Sequence, residues 1–192
     1  MEDGMNHRLY LYTPQLSDLW YRQKILGDPD TMGYNKGYHL DFAGYHNDTG
    51  CIDFPKAQWK EWHDWFVGHT PTRFYAYITR KEDNAFIGEV NLHQSRQGDW
   101  HDMGIVIEGK HRGKGYAVEA LYLLLKEAFE HLSVTAVHND FEKTRAAAVK
   151  AHLAVGFQIQ KEENGVVNLC MLKEQYFARQ GGGQRQCDIF HE

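Results

Sequence analysis

Ile105-Val106-Ile107-Glu108-Gly109-Lys110-His111-Arg112-Gly113-Lys114-Gly115-Tyr116-Ala117 is the stretch on which the reading of this chain turns. Three apolar residues with strand character lead into a glycine-rich basic loop, and a leucine-rich segment follows at once. Unpaired N–H groups at a helix start, reinforced by the helix dipole, make a site for phosphate oxygens. Gly113 and Gly115 let the backbone approach an anion closely, and the small Ala117 keeps the helix near the strand. Arg112 and Lys114 add charge. A Walker loop requires Ser or Thr after its lysine, whereas Lys114 is followed by Gly115. A dinucleotide fingerprint requires a third glycine and an alternating βαβ series, and the strands upstream form an antiparallel run instead.

Working outward, the apolar stripe Ala117, Leu121, Leu124, Leu125, Ala128 and Leu132 predicts a helix from about Tyr116 to His131. Upstream, Trp100 to Glu108 reads as a strand buried on both sides. Before it, Phe74 to Thr79 and Ala85 to His93 predict a hairpin around Glu82, Asp83 and Asn84. Strict alternation places Ile87, Glu89, Asn91 and His93 on one face of its second strand. Downstream follow a strand at Val134 to His138, a helix at about Glu142 to Ala154, and a closing hairpin. The latter pairs Phe157 to Gln160 with Val166 to Leu172 through an Asn164-Gly165 turn.

Thr13 and Pro14 predict a helix running to Leu26, and a second helix starts near Pro55 with Trp59, Trp62, Trp65 and Phe66 as its stripe. Between them lies a long irregular stretch rich in Gly, Tyr and Asp.

The 192 residues are 42% hydrophobic and 24% charged, enough for one domain with a sizeable core. The reading is a single α/β (α+β) domain over residues 1–178, with a mixed, mostly antiparallel central sheet flanked by helices. Residues 13–70 form a variable substrate-side region and 72–172 the core, followed by a flexible tail at 179–192. A net charge of -5 with interleaved signs argues against nucleic acid as a partner. No stretch approaches the roughly 20 apolar residues of a membrane span, and no signal peptide is read at the polar start. Cys51, Cys170 and Cys187 are scattered, the histidines show no metal spacing, and no metal is expected. A cytoplasmic setting is expected, and assembly as a homodimer is left open.

Arg112-x-x-Gly115-x-Ala117, after strand Ile105-Val106-Ile107 and before the leucine-rich helix, resembles the pyrophosphate loop of the GNAT superfamily of acyl-CoA-dependent N-acyltransferases. Ile87-Gly88-Glu89-Val90 resembles that superfamily's central strand, and Ala154-Val155-Gly156-Phe157 its helix-to-strand ending. Ile87-Gly88-Glu89 with Gly115-Tyr116-Ala117-x-Glu119-Ala120 is most similar to the branch containing ribosomal-protein N-terminal acetyltransferases. The resemblance implies a GNAT-like fold and transfer of an acetyl group from acetyl-CoA, without metal, to a primary amine of a small molecule or a protein N-terminus. The alternative is a non-catalytic acyl-CoA-binding or sensing module.

It further implies that backbone groups of Ile105, Val106 and Ile107 hold pantetheine as an added strand would. The amides of Arg112, Gly113, Lys114, Gly115, Tyr116 and Ala117 would hold the pyrophosphate. Where relatives commonly have Asn and Tyr, this chain has Arg145 and His152; Arg145 can reach a phosphate, and Asn139 can supply the missing amide. Glu89 is the first candidate base because the central strand supplies a carboxylate in some relatives, with Asp102 as runner-up beside His101. His152 is the candidate acid for the leaving thiolate. Tyr34 and Tyr38 of the long loop, together with His93, are candidate acceptor contacts.

Overall fold

The structure is a computed structural model that describes residues 7–38 and 40–182. Seven strands form one sheet in the order β1-β2-β3-β4-β5-β7-β6. The chain starts with β1 (Leu9–Tyr12), a strand absent from the sequence reading, because Leu-Tyr-Leu-Tyr alternates between two apolar residue types and hides the period. It pairs antiparallel with β2 (Arg73–Arg80). The expected helix from Thr13 starts later. Asp18 accepts the Gln15 N–H at 2.9 Å and opens a 3-10 turn (Leu16–Leu19), from which α1 (Trp20–Leu26) continues. The irregular stretch contains a single helical turn, α2 (Pro29–Met32), and α3 (Lys56–Phe66) follows.

The hairpin of β2 and β3 (Phe86–Gln94) carries a β-bulge that corrects the expected alternation. Ile78 pairs with Gly88 but Thr79 pairs with Phe86, so Ile87 is the extra residue. Ile87 therefore turns into the core with Val90 and Leu92, while Phe86 joins Tyr75 and Tyr77. Gly88 fits here because a Cβ would lie 2.2 Å from the Val106 carbonyl oxygen. Glu89, Asn91 and His93 keep their common face.

β4 (His101–Ile107) leads to α4 (Tyr116–Lys126), prolonged by a π-helical turn (Glu127–His131). Then come β5 (Ala136–Glu142), α5 (Ala146–Val155), and the hairpin of β6 (Gln158–Glu163) and β7 (Val166–Leu172). α6 (Lys173–Gly182) is held by buried Tyr176, whose hydroxyl lies 2.6 Å from Glu130 Oε1, and its last residues, 179–182, overlap the start of the expected loose tail. The rest of that tail, with Cys187, and residues 1–6 lie outside the described residues.

α4 and α5 pack on one face of the sheet, where Leu121, Leu124 and Leu125 are fully buried. Each such side chain contributes roughly 1.5–3 kcal/mol. α1 and α3 cover the other face through Tyr21, Ile25 and Trp59. Edge strand β1 is tied to α4: the Leu9 N–H donates to Glu119 at 2.8 Å, and Arg8 donates to Glu119 at 3.0 Å and to the Lys114 carbonyl at 3.1 Å.

One break in the sheet positions everything that follows. β4 pairs with β5 in parallel only at His101↔Val137 and Asp102↔His138. Beyond them β4 stays paired with β3 as far as Ile107, and β5 with β7 as far as Glu142, so the two strands fork. Gly104, Ile105 and Val106 are consequently half-buried, not enclosed as the sequence reading had them.

Candidate active site

The glycine-rich loop begins where β4 ends. Gly113 and Gly115 have φ of 77° and 79°, left-handed values that glycine adopts without strain. Gly115 is the N-cap of α4 and brings no capping side chain, and residues 112–115 are exposed, so the first amides of α4 face outward. Arg112 turns inward. Its guanidinium donates to the carbonyls of Ile107 at 3.0 Å, Asp30 at 3.1 Å and Thr31 at 2.5 Å. Thr31 itself accepts the Gly109 N–H at 2.9 Å, so α2 braces the loop from below. The Arg112 guanidinium is thus engaged by protein carbonyls, while both Arg112 and Lys114 are exposed.

Across the fork, Asn139 of β5 places Nδ2 at 2.9 Å from His152 Nε2, and His152 Nδ1 donates to the Ala148 carbonyl at 2.8 Å. This network puts the imidazole proton on Nδ1 and leaves Nε2 as acceptor for Asn139. His152 is 2% exposed, its ring packs on Phe141 and Phe157, and burial lowers its pKa. It is a neutral side chain that aims Asn139. Arg145 is held by the Tyr38 hydroxyl at 2.8 Å, the Tyr34 carbonyl at 3.3 Å and Glu142 at 2.8 Å. Tyr34 and Tyr38 thus line an opening of about 400 Å³ beside Arg145, away from His93.

A larger cleft of about 600 Å³ lies between α3 and the β2-β3-β4 face. Trp62, Trp65 and Phe66 wall it on one side, Tyr75, Asn91 and His93 form its floor, and Asp102 and Asp140 stand on the two arms of the fork. His93 Nε2 is 3.8 Å from Asp102 Oδ2, and Trp100 Nε1 donates to Asp102 Oδ1 at 3.1 Å. Burial lowers the pKa of His93, with Asp102 opposing and Arg73 assisting, so the ring is neutral at pH 7. Both side chains are about 40% exposed, open enough to meet a ligand.

Glu89 lies behind this surface, 4% exposed. One carboxylate oxygen is ion-paired with Arg22 and the other accepts the Tyr75 hydroxyl. Arg22 is stacked 4.4 Å from the Trp62 centroid, and burial followed by the Glu89 charge raises the pKa of Tyr75. The sequence reading gives neither Arg22 nor Tyr75 a role in the site. Their signal was the polar tip on an otherwise buried helix or strand face, which becomes visible only once α1 is laid on the sheet. Among the described residues no group of three or more metal-ligating side chains occurs, and no helix is long and apolar enough to cross a membrane.

A mixed sheet that forks beside an uncapped, glycine-rich helix start has the architecture of an acyl-CoA-dependent transferase. The family model for the acetyltransferase (GNAT) domain matches residues 8–158, and the chain belongs to that family. It is an N-acetyltransferase with acetyl-CoA as donor, and the open β4 edge and outward-facing α4 amides fit that donor. No curated protein sequence matches significantly.

Among similar solved structures, a spermidine N-acetyltransferase from Vibrio cholerae in complex with CoA and spermine is 17% identical. That match covers 90% of this chain and 99% of the other with a TM-score of 0.70. FdhC, a nucleotide-linked sugar GNAT in its apo form, is 18% identical over 93% and 94% of the two chains with a TM-score of 0.66. A GNAT-family acetyltransferase from Bacillus anthracis is 15% identical over 87% and 96%, with a TM-score of 0.65.

Proposed function

We propose that the chain acetylates a primary amine that enters the 600 Å³ cleft, with His93 as general base and Asp102 as the group that orients it. The observation that carries this reading is the position of the pair: β4 and β5 part immediately after Asp102. A thioester laid along the open edge of β4 from the α4 end arrives there. Amines are mostly protonated at neutral pH, and a neutral His93 accepts the proton that must leave before nitrogen can attack.

Acetyl-CoA supplies the activated acetyl group: as the nitrogen bonds to the acetyl carbon the C–S bond breaks, and CoA leaves as the thiol with one remaining proton of the attacking nitrogen. Backbone groups of Ile105, Val106 and Ile107 hold its pantetheine arm in the manner of an added strand. The amides of residues 113–117, with Lys114, hold its pyrophosphate. Asn139, aimed by His152, and Arg145, clamped by Tyr34 and Tyr38, line the β5 arm of the fork. In this reading His152 positions and does not donate a proton. Glu89 supports the cleft floor through Arg22 and Tyr75, and His93, oriented by Asp102, takes the place of Glu89 as the base.

Two measurements on the purified protein test the proposal. Calorimetric titration with acetyl-CoA, CoA and ATP should show micromolar binding of the two CoA species alone. Thiol release from acetyl-CoA should then appear with at least one amine of a panel that includes polyamines, amino acids and N-terminal peptides. Binding of CoA without thiol release from any of them would leave an acyl-CoA-binding module.

A further inference from the structure

Arg73 stands at the end of the cleft away from the fork. Its guanidinium lies 3.6 Å from the Trp65 ring centroid and 4.9 Å from that of Phe66, flat against an aromatic wall. Arg96, on the loop after β3, lines the same end. Among the described residues neither guanidinium has a carboxylate in ion-pair range, whereas the third guanidinium lining the cleft, Arg22, is paired with Glu89. Two unneutralised cations side by side in a recess repel each other, and burial and Arg96 both depress the pKa of Arg73. Such an arrangement is relieved when an anion enters.

The register gives the cleft a polarity. Arg73 pairs with His93 and His93 with Asp102, so the three occupy one row across three strands on one face. Neighbouring strands are about 4.8 Å apart, which puts the Arg73 and Asp102 backbones about 10 Å from each other. One end of the row holds Asp102 and Asp140 beside the fork, and the other holds Arg73 and Arg96. The geometry points to a small acceptor that carries its primary amine at one end and an anionic group, carboxylate or phosphate, at the other. This rests on the proposed use of the cleft for the acceptor. It assigns Arg73 and Arg96 to the anion and sets the acceptor apart from polyamines and unmodified N-terminal peptides.

Binding to the CoA-loaded protein, followed by calorimetry, tests the assignment without requiring turnover. ε-Aminocaproate and cadaverine share five methylenes and differ in a carboxylate against a second amine, and phosphoethanolamine against ethanolamine does the same for phosphate. The anionic member of at least one pair should bind at least tenfold more tightly, and which pair responds distinguishes carboxylate from phosphate. Arg96→Glu, at an exposed loop position that leaves the core intact, should shrink that ratio or reverse it, and Arg73→Lys should retain part of what Arg73→Gln loses. Equal or tighter binding of cadaverine and ethanolamine, or of an N-terminal peptide alone, would overturn the assignment. Thiol release measured in parallel judges the transfer reading separately, since a diamine that is acetylated well would refute the acceptor class and leave the transfer intact.

Discussion

At the scale of single residues, the pairing of His93 with Asp102 makes the sharpest claim. His93→Gln should lower kcat by roughly 10²- to 10⁴-fold, the range for loss of a general base, with little change in the affinity for CoA. If His93 is the base it acts in its neutral form, and because burial lowers its pKa from 6.5 the wild-type rate should fall only on acidification below that value. Asp102 opposes that lowering, so Asp102→Asn should slow the reaction and move its acid limb to still lower pH. A limb that stays in place would remove Asp102 from the role. Glu89→Gln should behave differently. It leaves Arg22 buried without its counter-charge, a loss of about 3–5 kcal/mol in urea unfolding, whereas replacing both with apolar residues should recover most of it. Asp102, His93 and Glu89 were all legible in the sequence as titratable side chains on adjacent strands. Which of them faces open space was not, because Arg22, which covers Glu89, comes from a helix 67 residues earlier in the chain.

At the scale of elements, the loop into α4 was readable because its signals are local: two glycines, a helix start and a preceding apolar strand. Gly115→Val tests it. A Cβ there would meet only Arg8 Nη2, at 3.6 Å, so the interior does not forbid the substitution. The cost comes from φ of 79°, about 1–2 kcal/mol for a side chain in the left-handed region, and from a bulky group standing over the amides. The dissociation constant for CoA should rise at least tenfold while the protein stays folded by circular dichroism. Other elements resisted reading for physical reasons. The bulge at Ile87 reverses the parity of its strand, and a one-residue insertion leaves no mark in composition. The fork between β4 and β5 depends on where pairing stops, and two parallel strands separated by a helix carry no sequence sign of that point. The helical turn at 179–182 that ends α6 carries no local signal among its glycines, since the contact that fixes the helix, Tyr176 against Phe129, joins distant positions.

At the scale of the whole molecule, four histidines share one sign. Burial lowers the pKa of His93, His111, His138 and His152, so the unfolded chain binds more protons than the native one as pH drops below 6.5. Their neutral forms contribute stability that is complete above that pH and is lost as pH falls toward the native values. Urea midpoints should therefore decline between pH 7.5 and 5.5, and a flat profile would contradict the burial of these rings. The tie between β1 and α4 gives the molecule a further property. Leu9 and Arg8 hold Glu119 and the Lys114 carbonyl, so the sheet's outer margin and the glycine-rich turn should open together. Saturation with CoA should accordingly slow hydrogen–deuterium exchange of the Leu9 amide, whose partner Glu119 sits on the helix proposed to receive the pyrophosphate, and the far margin at β6 should exchange as before.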